Sequence, residues 1–143
     1  MNISKIISRL TRKYGTRDPF ELAACLNIAI LYEELGSING YYNKPLRMKQ
    51  IHINHDLDRN QQRFTCAHEL GHAVLHPNSN TPFLRSSTFL SVGKMEIEAN
   101  RFAAELLIPD EIILENWQFT TEQLARLTGY SEELIKLRLH WIM

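Results

Sequence analysis

The hydrophobic positions at the start of the chain follow the spacing of an amphipathic helix. Apolar side chains recur at Ile3, Ile6, Ile7, Leu10 and Tyr14. This i, i+3, i+4, i+7 pattern places them on one face of a helix. Because glycine readily adopts the left-handed conformation that closes a helix, Gly15 is expected to end it.

A second, shorter helix is predicted directly afterwards. Asp18 is suited to cap it, Pro19 to occupy its first position, and Glu21 to complete a capping box. The apolar residues from Ile28 to Leu35 include β-branched side chains and predict a strand. We expect this strand to follow the short helix immediately.

Polar and apolar residues alternate in the segment after that strand. Asn39-Gly40 marks a tight turn, and two runs, Tyr41-Tyr42 and Met48 to Asn54, predict a β-hairpin. In its second strand Ile51 and Ile53 share one face, while His52 and Asn54 share the other. Residues 28 to 54 therefore predict a small, mostly antiparallel sheet.

From Asp58 onwards the hydrophobic period changes to that of a helix. Asp58 and Gln61 form a predicted capping box, and Pro77 is expected to stop the helix. Its apolar stripe consists of Phe64, Ala67, Leu70, Gly71, Val74 and Leu75. A long polar loop from Asn78 to Gly93 has Phe83, Leu84, Phe89 and Leu90 as its apolar anchors, and a loop of this length is usually functional or mobile.

The remaining sequence predicts four more helices. A long one covers Lys94 to Leu107, and shorter ones cover Asp110 to Trp117, Thr121 to Leu127 and Ser131 to Ile142. The whole pattern predicts an α+β fold. No repeat or linker divides the chain, so we expect residues 1–143 to form a single domain, with 118–143 as a helical extension that resembles a helix-turn-helix.

Composition and charge narrow the classes of function. The 143 residues include 16 Lys and Arg against 16 Asp and Glu, so the net charge is zero, which argues against direct nucleic-acid binding. No apolar run is long enough for a signal peptide or a membrane span. The two cysteines suggest buried, reduced thiols, and a cytoplasmic location is expected.

The chemistry is concentrated in His68-Glu69-Leu70-Gly71-His72 within the central predicted helix. His68 and His72 lie one turn apart on one face and can share a metal ion, for which zinc is the best match. Glu69 lies about 100° around the helix, where it can act as a base without being a ligand. Shuffling this composition would produce roughly 0.02 such motifs per chain, so chance is a poor explanation.

Two histidines leave zinc under-coordinated, so a third protein ligand is expected downstream. The candidates are His76, Glu96, Glu98 and Glu105. Glu96 is favoured because it shares a face with Ala99, Asn100 and Ala103, and small residues allow two helices to approach closely. Asn100 could then orient one of the histidine ligands. Glu98 and Glu105 are expected to be solvated.

The two motifs together resemble those of the ImmA/IrrE family of bacterial and phage metallopeptidases. The resemblance rests on the His-Glu-Leu-Gly-His motif and on the segment from Glu96 to Pro109. It implies a small zincin-like domain of the gluzincin type, with His68, His72 and Glu96 as zinc ligands and Glu69 as general base. It also implies cleavage of a transcriptional repressor from a mobile element or a stress response.

Several questions remain open from the sequence. The donor to the developing oxyanion could be His52, Tyr41, Tyr42 or His76. The strand Gln50 to Asn54 could either offer an edge to substrate or be paired within the sheet.

The alternative function is a metal-containing regulator that binds the repressor without cleaving it. A DNA-binding regulator is disfavoured, because the last helix begins with Glu132 and Glu133. Apolar side chains of the last two helices are expected to pack on the domain or on a partner: Leu127, Leu134, Ile135, Leu137 and Trp141.

Overall fold

The computed structural model describes residues 1–78 and 93–141, in which a three-stranded sheet lies between helical segments. The helices are α1 (Ile3–Tyr14), α2 (Pro19–Cys25), α3 (Arg59–Leu75), α4 (Lys94–Leu107), α5 (Asp110–Glu115), α6 (Thr121–Thr128) and α7 (Glu132–His140). The strands are β1 (Ala29–Glu33), β2 (Gly40–Asn43) and β3 (Gln50–Asn54). The α+β class is confirmed. The predicted long loop and its apolar anchors lie outside the described residues, apart from the ends of the loop.

Local capping explains where most of the helices begin and end. Gly15 closes α1 at φ 69°, and Asp58 and Gln61 form the reciprocal capping box of α3. Asp18 caps α2 by accepting a hydrogen bond from the backbone of Phe20 at 3.0 Å. The capping box expected from Glu21 does not form, because that carboxylate accepts a bond from the hydroxyl of Thr16 at 2.7 Å instead.

The sheet is mixed, with strand order β1-β3-β2. β2 and β3 form the expected antiparallel hairpin, whereas β1 pairs with β3 in parallel, with Ile30 opposite Ile51. Gly40 does not form the predicted turn with Asn39 but begins β2, and the turn lies at Gly36 and Ser37. A parallel neighbour requires the chain to cross over between the strands, which a local sequence pattern does not encode.

The core lies between the sheet and helices α1, α3 and α4. On β3, Ile51 and Ile53 are fully buried. The contact between α3 and α4 is close because the residues at the interface are small. Ala99 and Ala103 are fully buried, and a Cβ atom at Gly71 would lie 3.1 Å from that of Phe102.

The C-terminal helices pack back onto this core. Arg138 of α7 is buried and donates through Nε to the carbonyl of Ile108 at 2.6 Å. Leu134 and Ile135 are each 1% exposed, as predicted, but Leu127 is 54% exposed and does not belong to the packed face.

The two cysteines differ in environment, since Cys66 is buried as expected whereas Cys25 is exposed. Burial raises the pKa of the Cys66 thiol, so this side chain behaves as a small apolar group of the core. Among the helices of residues 1–78 and 93–141, none combines the length and the apolar character needed to cross a bilayer.

Candidate metal centre

Helix α3 presents the two motif histidines to the interior of the fold. His68 and His72 are both 0% exposed, and their ring centroids lie 4.9 Å apart, as expected for residues separated by one helical turn. The intervening Glu69 is also fully buried. Three polar side chains within about one turn of α3 are thus removed from water. Their burial is costly unless they are hydrogen-bonded, ion-paired or bound to a metal.

Helix α4 brings Glu96 to both histidines. One carboxylate oxygen, Oε1, lies 3.1 Å from Nε2 of His68, and the other, Oε2, lies 2.7 Å from Nε2 of His72. Each of the three residues offers a ligand atom, and these atoms all lie within 4.8 Å of one another. Of the four residues considered for the third position, Glu96 is the one that joins the histidines in this cluster of described residues.

The hydrogen bond on the far side of His68 determines which nitrogen faces Glu96. Nδ1 of His68 lies 2.8 Å from the amide oxygen of Asn100, a bond in which the imidazole N–H donates. Nε2 then carries a lone pair and points at a carboxylate oxygen. Two electron-rich atoms held this close in a buried site form an arrangement that can share a cation.

Further buried atoms support the same interpretation. Among the described residues, Nε2 of His72, Oε2 of Glu96 and both carboxylate oxygens of Glu69 are buried without a hydrogen-bond partner. The contact between His72 and Glu96 is short but lacks hydrogen-bonding geometry. Buried polar atoms are nearly always satisfied, so these exceptions indicate a missing binding partner. The donor set of two imidazoles and one carboxylate suits a divalent metal ion.

The electrostatics of the site separate the two carboxylates. Burial by itself would raise the pKa of Glu96, but contact with the imidazoles of His68 and His72 outweighs it and lowers that pKa to about 2. Burial raises the pKa of Glu69 well above its ordinary value, and the charge of Glu96 raises it further. Burial lowers the pKa of His72, which favours the neutral imidazole that metals bind. The two carboxylates therefore differ in basicity, with Glu96 the weaker base and Glu69 the stronger.

Glu69 is close to the cluster without belonging to it. Its Oε2 atom lies 4.0 Å from Nε2 of His68. At this distance the carboxylate makes no hydrogen bond with the imidazole, and both of its oxygens are buried without a partner among the described residues. This placement agrees with the expected position around the helix.

Two acidic residues expected to be solvated are engaged in the fold. Glu98 lies 2.8 Å from Nε2 of His76, and Glu105 is 8% exposed and accepts a bond from Nε of Arg101 at 2.7 Å and another from Ser4. The helical periodicity of α4 could not reveal that Glu98 contacts His76, because His76 lies outside that helix. His76 follows the last residue of α3 and has non-helical dihedrals, φ −134° and ψ 56°.

The candidates for the oxyanion donor are held by other contacts. Tyr42 donates its hydroxyl proton to the carbonyl of Pro77 at 2.9 Å. His52 stacks on Tyr41 at 4.2 Å between ring centroids, and its nitrogens contact Glu33 and Asn43. These partners of His52 therefore all belong to the sheet, with Glu33 in β1 and Tyr41 and Asn43 in β2.

The suggestion that β3 offers an edge to substrate is wrong. Both sides of β3 are paired, with β1 on one side and β2 on the other. In the described sheet the outer strands are therefore β1 and β2. A strand buried in the middle of a sheet has no free backbone groups to pair with a peptide.

Comparison with known proteins identifies the family. Residues 23–140 match the family described as "IrrE N-terminal-like domain". A protein of Bacillus phage phi105, named "Uncharacterized immunity region protein 2", is 43% identical over 139 residues, which cover 95% of this chain and 88% of that protein. "Metallopeptidase ImmA" of Bacillus subtilis (strain 168) is 32% identical over 131 residues, covering 90% and 72% respectively. With a matched family over most of its length and a cluster able to hold a metal, this chain belongs to the ImmA/IrrE family of metallopeptidases.

Proposed function

We propose that this protein is a zinc-dependent endopeptidase that cleaves a specific protein, a helix-turn-helix transcriptional repressor of a mobile element or stress response. His68, His72 and Glu96 are the proposed zinc ligands, and Glu69 is the proposed general base. The observation that carries the proposal is the convergence of these four buried side chains with several of their polar atoms unbonded. We further propose that residues 1–143 act as one metallopeptidase domain in the cytoplasm, where such repressors bind DNA.

The choice of zinc follows from the donor set. Two imidazole nitrogens and one carboxylate oxygen are a common catalytic zinc set, which leaves a fourth position open. A zinc ion held there would supply Lewis acidity, which polarises the scissile carbonyl and makes water acidic near neutral pH. Because the three proposed ligands lie on two packed helices, they would hold an ion at a fixed position relative to Glu69.

Glu69 carries the proton during hydrolysis. As the water oxygen bonds to the carbonyl carbon, a carboxylate oxygen of Glu69 takes the water proton, and it then delivers that proton to the nitrogen as the C–N bond breaks. Burial and the charge of Glu96 raise the pKa of Glu69, so that it accepts a proton more readily than an exposed carboxylate. Asn100 holds His68 in the tautomer that presents Nε2 to the ligand cluster.

The repressor substrate is supported by the relatives. One comes from a phage and carries the words "immunity region" in its name, and another is named "Metallopeptidase ImmA". A repressor is the substrate that the resemblance of the two motifs to the ImmA/IrrE family implies. The zero net charge of the chain agrees with a protease that recognises the DNA-binding protein and not DNA itself.

The test is zinc analysis of the purified chain and incubation with the helix-turn-helix repressor encoded beside its gene, followed by mass spectrometry of the products. We expect one zinc per chain and a single cleavage. Glu69→Gln should retain zinc while the rate falls by about 10²- to 10⁴-fold. Zinc with stable binding of the repressor but no cleavage would support the alternative, a non-catalytic regulator. A chain that takes up no zinc would refute the site itself.

A further inference from the structure

A chain of contacts extends from the proposed ligand His72 away from the metal centre. Its Nδ1 atom lies 3.3 Å from Nδ1 of His76, and Nε2 of His76 lies 2.8 Å from Oε1 of Glu98. The side chains of His76 and Glu98 are only 9% and 17% exposed. Neither belongs to the cluster of ligand atoms or is required to complete it.

The carboxylate at the end of this chain of contacts selects one consistent arrangement of donors and acceptors along it. A carboxylate oxygen accepts hydrogen bonds, so in the 2.8 Å contact with Oε1 of Glu98 the Nε2 atom of His76 is the donor. In this arrangement Nδ1 of His76 accepts from the N–H at Nδ1 of His72, 3.3 Å away. This leaves the lone pair of His72 on Nε2, the atom that faces Glu96 at 2.7 Å.

The sheet holds His76 in place at the end of α3. The backbone N–H of His76 donates to the carbonyl of His72 at 2.7 Å. The next two residues are tied to β2 and to the residue after it, because Tyr42 of β2 donates to the carbonyl of Pro77 at 2.9 Å and Lys44 donates to Asn78 at 3.1 Å. The middle of the relay is therefore anchored on both sides along the chain.

The two ligand histidines are supported in different ways. His68 donates to Asn100, a neutral amide on α4. His72 instead donates to a second imidazole that leads to a charged carboxylate. Hydrogen bonds to ionised acceptors are stronger than neutral ones, and a carboxylate behind an imidazole makes the ligand nitrogen more basic.

We propose that His76 and Glu98 form a positioning relay that locks His72 in its metal-binding tautomer and strengthens its bond to the metal. The inference rests on the proposed function, since it takes His72 as a metal ligand. His76 and Glu98 are positioning residues in this scheme. They touch neither the metal nor the substrate, and they act only through the imidazole of His72.

The experiment is a double-mutant cycle read out by zinc affinity. The zinc dissociation constant is measured by chelator competition for the wild type, His76→Ala, Glu98→Ala and the double variant. Each single variant should bind zinc about 10- to 100-fold more weakly, the range seen when groups behind a ligand are removed. The double variant should resemble His76→Ala alone, because Glu98 acts only through His76.

A spectroscopic signature and a conservative variant separate positioning from general damage. The Co²⁺ absorption spectrum should shift in His76→Ala and return towards the wild type in His76→Gln, whose amide can accept from His72 and donate to Glu98. Glu105→Gln is the matched control, since it removes another carboxylate of α4 that bonds Ser4 and Arg101. It should lower the melting temperature while leaving the zinc affinity unchanged.

The possible outcomes test the relay separately from the proposed function on which it rests. Zinc affinities within twofold of the wild type, with an unchanged Co²⁺ spectrum, would overturn the relay and leave the proposed function standing. Additive losses in the double variant would also overturn it, because the two residues would then act independently. A wild-type chain that binds no zinc would overturn both proposals.

Discussion

Replacing Asn100 by alanine removes the group that orients His68 without touching the proposed zinc ligands. The bond from Nδ1 of His68 to the amide oxygen is 2.8 Å long, and the two residues are 0% and 3% exposed. In the variant the buried N–H of His68 loses its acceptor. Its ring also becomes free to take the other tautomer or to rotate away from Glu96.

The magnitude follows from this geometry. Loss of a group behind a metal ligand typically weakens metal binding by about 10- to 100-fold, or about 1.4 to 2.7 kcal/mol. Leaving the buried N–H of His68 unpaired costs about 1 to 3 kcal/mol of folding stability in addition. Asn100→Asp should behave oppositely in affinity, because an ionised carboxylate is a stronger acceptor for the same N–H.

Zinc affinity by chelator competition and urea unfolding of the metal-free chain measure the two effects separately. We expect Asn100→Ala to lose both zinc affinity and stability, and Asn100→Asp to bind zinc at least as tightly as the wild type. An Asn100→Ala protein with wild-type affinity would refute the reasoning. His68 would then be oriented by the packing of its ring, and the hydrogen bond would be incidental.

Three further predictions concern the metal and the packing around it. At a free zinc concentration about 1,000 times the dissociation constant, zinc binding should stabilise the fold by about 4 kcal/mol. Removing the zinc with a chelator should therefore lower the melting temperature by roughly 8 to 16 °C, and an unchanged melting curve would contradict this. In calorimetric titrations Glu96→Ala should lose more than about 100-fold in zinc affinity and Glu98→Ala less, and the reverse order would reassign the third ligand. Gly40→Ala should cost more than about 3 kcal/mol in urea unfolding, because its Cβ would lie 2.4 Å from the carbonyl oxygen of His52. Its control Gly15→Ala, with φ 69° and no described atom within 4 Å of the new Cβ, should cost about 1 kcal/mol, and equal losses would show that the close contact is relieved.

The proposed site could be anticipated from the sequence to the extent that it depends on one helix at a time. The spacing of His68 and His72 fixes their common face, because four residues make about one helical turn. The preference for Glu96 came from the small residues beside it, and the structure brings its carboxylate to both histidines. The bounds of α4 agree with prediction at both ends, since Pro109 stops the hydrophobic period shortly after Leu107.

The sequence by itself determined the local elements of this protein: the helices, their caps and the residues that share a face. Each of these depends on neighbours within about four positions, so periodicity and capping residues suffice to predict them. Tertiary structure decided which elements meet. It placed β3 between β1 and β2, buried Glu105 against α1, and brought Glu98 to His76 beyond the end of α3. The pairing of β1 with β3, the contact of Glu98 with His76 and the contact of Glu105 with Ser4 join residues 21, 22 and 101 positions apart, so these partners are set by how the core packs and not by local spacing.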